Sequence, residues 1–435
     1  MTTDLPPLPH PYTPGSIRAA YSYRDYRYLW YGMLLSNIGT WMQNIALPAY
    51  VQHRTDSAGA VGVVVFAQLG PLLVLSIPGG VLASRVRRAP LLVSMQSLQL
   101  VFSLVLAWLV HRNASILALF LANLGVGIAN ALNAPAFQST FPMLVDRRDL
   151  PGAVALNSTQ LNGSRVVGPV IAALLGLLGV TVPQIFVINA ATYLFVIAAI
   201  LIIDMPPPTG SVGAHGWREL TAGLSIARRR PILGRLVLTM TAWSFLPLAY
   251  VGLFAHITER NLHIDPLNGS QYKWLYAVWG VGALAGGVAV GTVFAQADKR
   301  RLIAPGLVGF AVMLAVFAML TNAAVAFPVV LVLGFFYFFT ATAMITVFQQ
   351  NMTNAERPFV MPLWFMSFGG TVPIGNLVFG PVMDRIGTRP VMLAGAVVSL
   401  YLARMCDLRR LQAGSDPLEP GDPAPLDEKR ITTRE

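Results

Sequence analysis

The chain has 435 residues, of which 55% are hydrophobic and only 11% charged, and its mean hydropathy is +0.61. Such a composition excludes an ordinary soluble globule and indicates a membrane protein with many spans. The formal net charge of +11 does not indicate a nucleic-acid partner, because Lys and Arg lie between apolar runs instead of clustering on one groove or helix. The single cysteine, Cys406, excludes an internal disulfide and a thiolate metal site.

Residues 1–25 are Pro-rich, lack the apolar core of a signal peptide and read as a cytoplasmic N-terminal segment. A membrane-spanning helix needs about 20 apolar residues. Twelve stretches supply them. Six fall in 26–203: Leu29 to Val51, Ala60 to Leu82, Leu91 to Val110, Ile116 to Ala136, Ala155 to Leu178 and Pro183 to Ile203. A polar link over 204–230 follows, with Pro206 to Pro208, several glycines and then Trp217 to Arg229, whose Leu220, Leu224 and Ile226 predict an amphipathic helix along the inner face. Six more stretches fall in 231–405: Ile232 to Ala255, Trp274 to Phe294, Leu302 to Leu320, Ala326 to Val347, Pro362 to Met383 and Pro390 to Met405. The tail, 406–435, has too few apolar residues to fold and reads as disordered.

Orientation follows from the cationic links, which stay in the cytoplasm. With both termini inside, that side collects Arg85, Arg87, Arg88, Arg147, Arg148, Arg228 to Arg230 and Lys299 to Arg301. The turn Asp384-Arg385-Ile386-Gly387-Thr388-Arg389 falls outside against this trend, which calls for local pairing or for a shift of the last two spans.

One passage is written twice. Phe137-Gln138, a charged link and an apolar run ending in Gly168-Pro169 are matched in the second half by Phe348-Gln349 and a run ending in Gly380-Pro381. Only the first copy carries a charge inside its second run, Arg165. Pro169 cannot donate to the carbonyl of Arg165, so a bend is expected there and, by the repeat, at Gly380-Pro381. Counted from Ala155, Arg165 lies about 15 Å along a helix rising about 1.5 Å per residue, near the middle of a roughly 30 Å core. No Asp or Glu falls within the twelve stretches. The cation therefore calls for a helix carbonyl, water or a ligand anion, and the choice is between a cavity-facing site residue and a structural Arg that pins the bend.

After the second span comes Gly80-Val81-Leu82-Ala83-Ser84-Arg85-Val86-Arg87-Arg88, with a degenerate copy from Gly291 to Asp298-Lys299-Arg300-Arg301. This resembles the loop of the major facilitator superfamily between its second and third helices, Gly-x-x-x-Asp-Arg-x-x-Arg-Arg, with Ser84 in place of the acid. The resemblance implies an inner gate built from Gly80, Ser84, Arg85, Arg88, Asp298, Lys299 and Arg300. Pro135 to Gln138, Pro142 to Leu150, Ala155 to Ser158 and Asn162 to Pro169 resemble the branch that includes enterobactin exporters, often labelled transmembrane secretion effector. Arg27 to Trp30, Ser36 to Gln43 and Val360 to Gly387 fit the same branch. The resemblance implies an all-α integral membrane fold, with twelve helices in two pseudo-symmetric six-helix bundles and a cavity between them.

Polar and aromatic side chains that could line that cavity are Gln43, Asn44, Gln68, Asn130, Asn133, Asn162 and Asn376, with Trp243 and Tyr250. Amides in a bundle also stitch helices together, and interfacial aromatics anchor span ends. A proton-driven exchanger needs a titratable group that meets both solvents, and His53, His256 and Glu259 at the outer end are the candidates. No zinc-protease, phosphate-loop or nucleophile-elbow motif occurs, so neither an enzyme nor an ATP-driven pump is indicated, and no cofactor or metal is expected. The resemblance implies proton-coupled export of a small organic solute across the plasma membrane by a monomer. An importer, or a transporter-like sensor that moves nothing, are the alternatives.

Overall fold

The computed structural model describes residues 10–205, 217–353 and 356–406. Among them no strand occurs, as expected where lipid offers no hydrogen bonds and each spanning segment must satisfy its own backbone. The first half comprises α1 (Ile17–Ser22), α2 (Arg24–Thr55), α3 (Ala58–Leu69), α4 (Pro71–Arg85), α5 (Arg88–His111), α6 (Ile116–Thr140), α7 (Leu150–Leu177) and α8 (Val182–Ile202). The link helix is α9 (Trp217–Arg229). The second half comprises α10 (Pro231–Phe245), α11 (Ala249–Gly252), α12 (Phe254–Leu262), α13 (Ser270–Gly291), α14 (Arg300–Met319), α15 (Ala323–Gln350), α16 (Arg357–Phe365), α17 (Thr371–Ile386) and α18 (Thr388–Met405). Nine stretches among the described residues are long and apolar enough to cross a membrane. The long helices α2, α7 and α18 are not among those nine, yet they pack against them.

Three spans are interrupted among the described residues. Both α7 and α17 run unbroken through Gly168-Pro169 and Gly380-Pro381. The interruptions fall at Gly70-Pro71 between α3 and α4, at Leu246 to Leu248 between α10 and α11, and at a π-helical turn over Met366–Gly370 between α16 and α17. Helix α17 also runs past the expected end of its span to Ile386, which brings Asp384 into its last turn. In the link, α9 buries Gly223, Ile226 and Ala227 while Leu224, Arg228 and Arg229 stay exposed, so it is amphipathic. Gly223 lies against the carbonyl of Phe359, seating α9 on α16. Residues 206–216 and 407–435, with the expected loop and disordered tail, lie outside the described residues.

Of the expected N-terminal segment, residues 10–25 are docked and in part helical. Ser16 caps α1 through a hydrogen bond from the Ala19 amide, 3.1 Å. Asp149, just before α7 and fully buried, accepts from the Gly15 amide (2.9 Å), the Tyr23 hydroxyl (2.8 Å) and His10 Nε2 (2.8 Å). Burial alone would raise the Asp149 pKa, but the Gly15, His10 and Tyr23 donors outweigh it and hold the carboxyl below its ordinary value. A depressed carboxylate stabilises the docked form above its free pKa of about 3.9 and loses that contribution as pH falls through the lower docked value. Asp149→Asn is therefore expected to speed amide exchange over Gly15–Ser22 at neutral pH by roughly tenfold to a hundredfold, the effect of one buried charged hydrogen bond. Exchange rates unchanged from the parent would contradict the assignment.

Candidate functional site

The site is built on α7. Gly168 lets that helix lie directly on α2, since a Cβ there would stand 2.6 Å from Trp41 Cβ and 2.9 Å from the Ile38 carbonyl oxygen. One turn earlier, the half-buried Arg165 points from the first half toward the second. Its guanidinium carbon stands 5.4 Å from the Trp41 ring of α2 and 4.8 Å from the Phe338 ring of α15. The carbonyl that Pro169 leaves without a helical donor faces α13, where Gly280 leaves room for it: a Cβ at Gly280 would stand 3.1 Å from that oxygen. Among the described residues no carboxylate lies within 4.0 Å of the guanidinium, and it makes no hydrogen bond to a backbone carbonyl. The reading in which Arg165 pins a bend through carbonyls therefore lacks its contacts, and two aromatic faces stabilise the cation instead.

On the second-half side the cation meets a continuous aromatic cluster. Phe338 packs on Tyr337 (4.6 Å), Tyr337 on Trp279 (5.5 Å) and Trp243 (5.7 Å), and Trp243 on Phe310 (5.1 Å). Trp279 Nε1 donates to the Tyr250 hydroxyl, 2.9 Å. Trp243 and Tyr250 are thus buried in this cluster. They form the wall behind Phe338.

The amides divide. Gln43 is buried between α2, α5 and α8, accepting from Ser103 (3.0 Å) and Asn189 (2.7 Å), and so it stitches helices of the first half. Asn44 accepts from Gln68 across α2 and α3. Asn162 donates to the Ser158 carbonyl of its own helix, 2.9 Å. Asn130 is half-buried, and Asn133 is buried with its amide oxygen unpaired among the described residues. Asn376 is fully buried where α17 crosses α3 and α11, and neither its oxygen nor its nitrogen has a partner among the described residues. Of the expected cavity lining, Arg165 stands out because its charge meets two aromatic faces and no carboxylate among the described residues.

The end of the bundle opposite α1 and Cys406 is closed across the two halves. Gln52 and Asp56, one turn apart at the end of α2, face His256 and Arg260, one turn apart on α12. His256 Nδ1 lies 2.9 Å from Gln52 Oε1, Gln52 Nε2 donates to Asp56 (3.1 Å), and Arg260 donates to Asp56 (2.6 Å). Asp384 of α17 accepts from Ser57, Ala58 and Gly59 at the start of α3. Of the expected coupling residues, His256 belongs to this closure. His53 is exposed, 3.9 Å from Asp265, and Glu259 keeps one buried carboxyl oxygen without a partner among the described residues.

At the other end, the second gate copy is held within its own loop and against the end of α15. Asp298 accepts from the Arg300 amide (3.0 Å), Lys299 binds the carbonyls of Phe294, Ala295 and Ala297, and Arg300 reaches Asn351 (3.2 Å). In the first copy Arg88 is buried. The side-chain surroundings of Gly80, Ser84 and Arg85 lie outside the described residues. Gly163 on α7 and Gly291 on α13, toward this end, face open space.

Sequence reasoning missed Trp41, Phe338 and the Asp56, Arg260 and Asp384 contacts. Trp41 and Phe338 look like any span aromatic, and only the signature Gly380-x-x-x-Asp384-Arg385 could have drawn attention to Asp384.

The chain matches the transmembrane secretion effector family over residues 16–434. It is 23% identical over 371 residues to the staphyloferrin A transporter of Staphylococcus aureus, covering 83% of this chain and 90% of that protein. It is 25% identical over 279 residues to the enterobactin exporter EntS of Shigella flexneri, covering 64% and 65%. Among solved structures it superposes on a bacterial homolog of the human lysosomal transporter Spinster, inward-facing and unoccupied, with TM-score 0.71 at 15% identity, covering 92% of this chain and 100% of that one. The nucleoside transporter NupG superposes with TM-score 0.67 at 13% identity, over 88% and 98%. This membership also excludes an enzyme. With its all-helical fold, its many apolar spans and a match along nearly its whole length, the chain belongs to the transmembrane secretion effector family of major facilitator transporters.

Proposed function

We propose that this chain exports a small organic anion by alternating access, driven by the proton gradient. In this reading twelve helices form two bundles, 26–203 and 231–405, joined by the cytoplasmic link 204–230. Both termini face the cytoplasm across the inner membrane, the closed end faces outward and the monomer is the working unit. The observation that carries the reading is Arg165: a cation at mid-helix, between the halves, held by Trp41 and Phe338 and without a carboxylate among the described residues. Such a charge is costly in the membrane unless a counter-charge reaches it, and a solute that brings an anionic group and an apolar body supplies both. The staphyloferrin A and enterobactin transporters among the relatives support a siderophore-like solute.

The test is a direction-resolved flux measurement in proteoliposomes with either enterobactin or staphyloferrin A as the probe. Efflux through the face that carries Asp384 is expected to accelerate when the pH on that face is lowered. Flux indifferent to the gradient would remove the proton coupling, and flux only toward the face that carries the termini would make the protein an importer.

A further inference from the structure

We propose that Asp384 is the outer gating carboxylate, which shuts that face by capping α3 from the other half of the molecule and is released by protons from outside. The geometry is that of a helix N-cap supplied in trans. Ser57 Oγ (2.7 Å), the Ala58 amide (2.6 Å) and the Gly59 amide (2.9 Å) all donate to the two oxygens of Asp384. Helix α3 runs twelve residues from Ala58, so its first amides and the positive end of its dipole face the carboxylate. Ser57 also caps α3 itself, accepting from Ala60 at 3.2 Å. No cation lies within 4.0 Å of Asp384 among the described residues. Its sequence neighbour Arg385 does not pair with it, and the helix end takes the place of a salt bridge.

The sequence is arranged for this contact. Gly380, one turn before Asp384, brings α17 onto the backbone of α3: a Cβ there would stand 2.6 Å from the Ala58 carbonyl oxygen and 3.0 Å from Gly59 Cα. A Cβ at Gly59 would stand 3.0 Å from Asp384 Oδ2. Gly380-Pro381-Val382-Met383-Asp384-Arg385 also restores, at the outer face, the Gly-x-x-x-Asp-Arg pattern whose acid is replaced by Ser84 at the inner one.

Water reaches the contact through a cavity of about 780 Å³ that Asp384 itself lines. The other charged or titratable groups facing it are Asp56 from the turn before α3, His256 and Arg260 from α12, His263 after α12, and Arg389 from α18. An ionised Asp384 accepts all three bonds and meets the helix dipole, whereas a protonated one loses the charge and turns one oxygen into a donor. Parting the halves therefore costs the protonated acid less, and acid favours the open outer face. His256 acts in the same sense. Beyond the seventh span, burial holds its pKa below the ordinary value while the face is closed, and Arg260 adds to this against Asp384 and Asp56. The closed form thus loses stability as pH falls through about 6.5, the value of a free imidazole.

The experiment uses the full chain in nanodiscs without solute, so its outcome is independent of the transport assay. In a Cys406→Ser background, spin labels at Arg112→Cys and Thr321→Cys report the distance between the two halves at the outer face. The parent is expected to sit mainly at the short distance near pH 7.5 and to gain long-distance population in two steps on acidification, one below about pH 6.5 as His256 takes up a proton and one below about pH 4 as Asp384 does. Asp384→Asn is expected to raise the long-distance population about tenfold at neutral pH and to remove the step below about pH 4 while keeping that of His256. Ser57→Ala, which removes one donor and leaves the carboxylate in place, is expected to shift it less in the same direction, and carries the test alone if Asp384→Asn does not fold. Parental distances and a parental pH response in the folded variants would overturn the proposal and leave Asp384 as a helix terminator.

Discussion

Arg165→Ala is expected to lower outward transport of an anionic solute by roughly a hundredfold while the protein inserts and folds at least as well as the parent. The kinetic part follows from losing a charge-assisted contact in a partly desolvated site, about 3 kcal/mol. The folding part follows from removing a cation that costs about 3 kcal/mol to hold at mid-membrane and has no carboxylate partner among the described residues. These two signs separate the roles. A structural arginine would lose stability on truncation, while a site arginine loses transport and keeps or gains stability. Arg165→Lys keeps the charge but not the planar face that meets Trp41 and Phe338, so transport about tenfold below the parent is expected. Flux and thermal unfolding of the same preparations check both parts, and parental flux in Arg165→Ala would refute the site.

Gly286→Leu is expected to abolish folded protein. Gly282 and Gly286, one turn apart on α13, face α15, and Gly334 of α15 faces back. A Cβ at Gly282 or Gly286 would collide with the carbonyl oxygen of Leu331 or Phe335, and one at Gly334 with that of Trp279. Membrane helices gain little from the hydrophobic effect against one another, so association rests on close packing of this kind. A leucine at Gly286 forces the two backbones apart and carries Trp279, Tyr337 and Phe338 with them, since all three ride on these helices. The loss is expected at several kcal/mol, enough to exceed the stability of a typical domain when backbone must move. Gly291→Leu on the same helix has nothing within 4 Å to meet and is expected to express as the parent does. Equal yields of the two variants in a size-exclusion assay would contradict the packing account.

The spans were legible because apolar length and cationic links are one-dimensional signals, and α5, α6, α8, α14 and α15 fall close to where they were expected. Arg165 was legible for the same reason: a lone charge in an apolar run needs no partner to be seen. The closure at the end opposite α1 was not, because Asp384 reads as a turn residue until α17 runs on to Ile386 and α3 is brought against it. The amides misled in proportion to their ambiguity. Gln43 has the chemistry of a ligand contact, and only the positions of Ser103 and Asn189 reveal it as a stitch between helices. A bend was expected at Pro169 and Pro381, and the helix continues on either side of each. The broken seventh span follows from Pro247 with its neighbours, and at the end of the π-helical turn Met366–Gly370 the lack of a Cβ at Gly370 leaves room for Leu73.

The central claim is that the charge of Arg165 meets the charge of the solute. Its most direct measurement is a binding cycle on the purified protein, with the solute selected by the flux assay in two forms, its anionic group free or blocked by methylation, against the parent and Arg165→Ala. The account predicts that the free anion loses roughly thirtyfold to a hundredfold in affinity on the substitution and the blocked form changes less than about threefold, a coupling of about 2 kcal/mol between the two charges. Equal losses for both forms, or none for either, would contradict it.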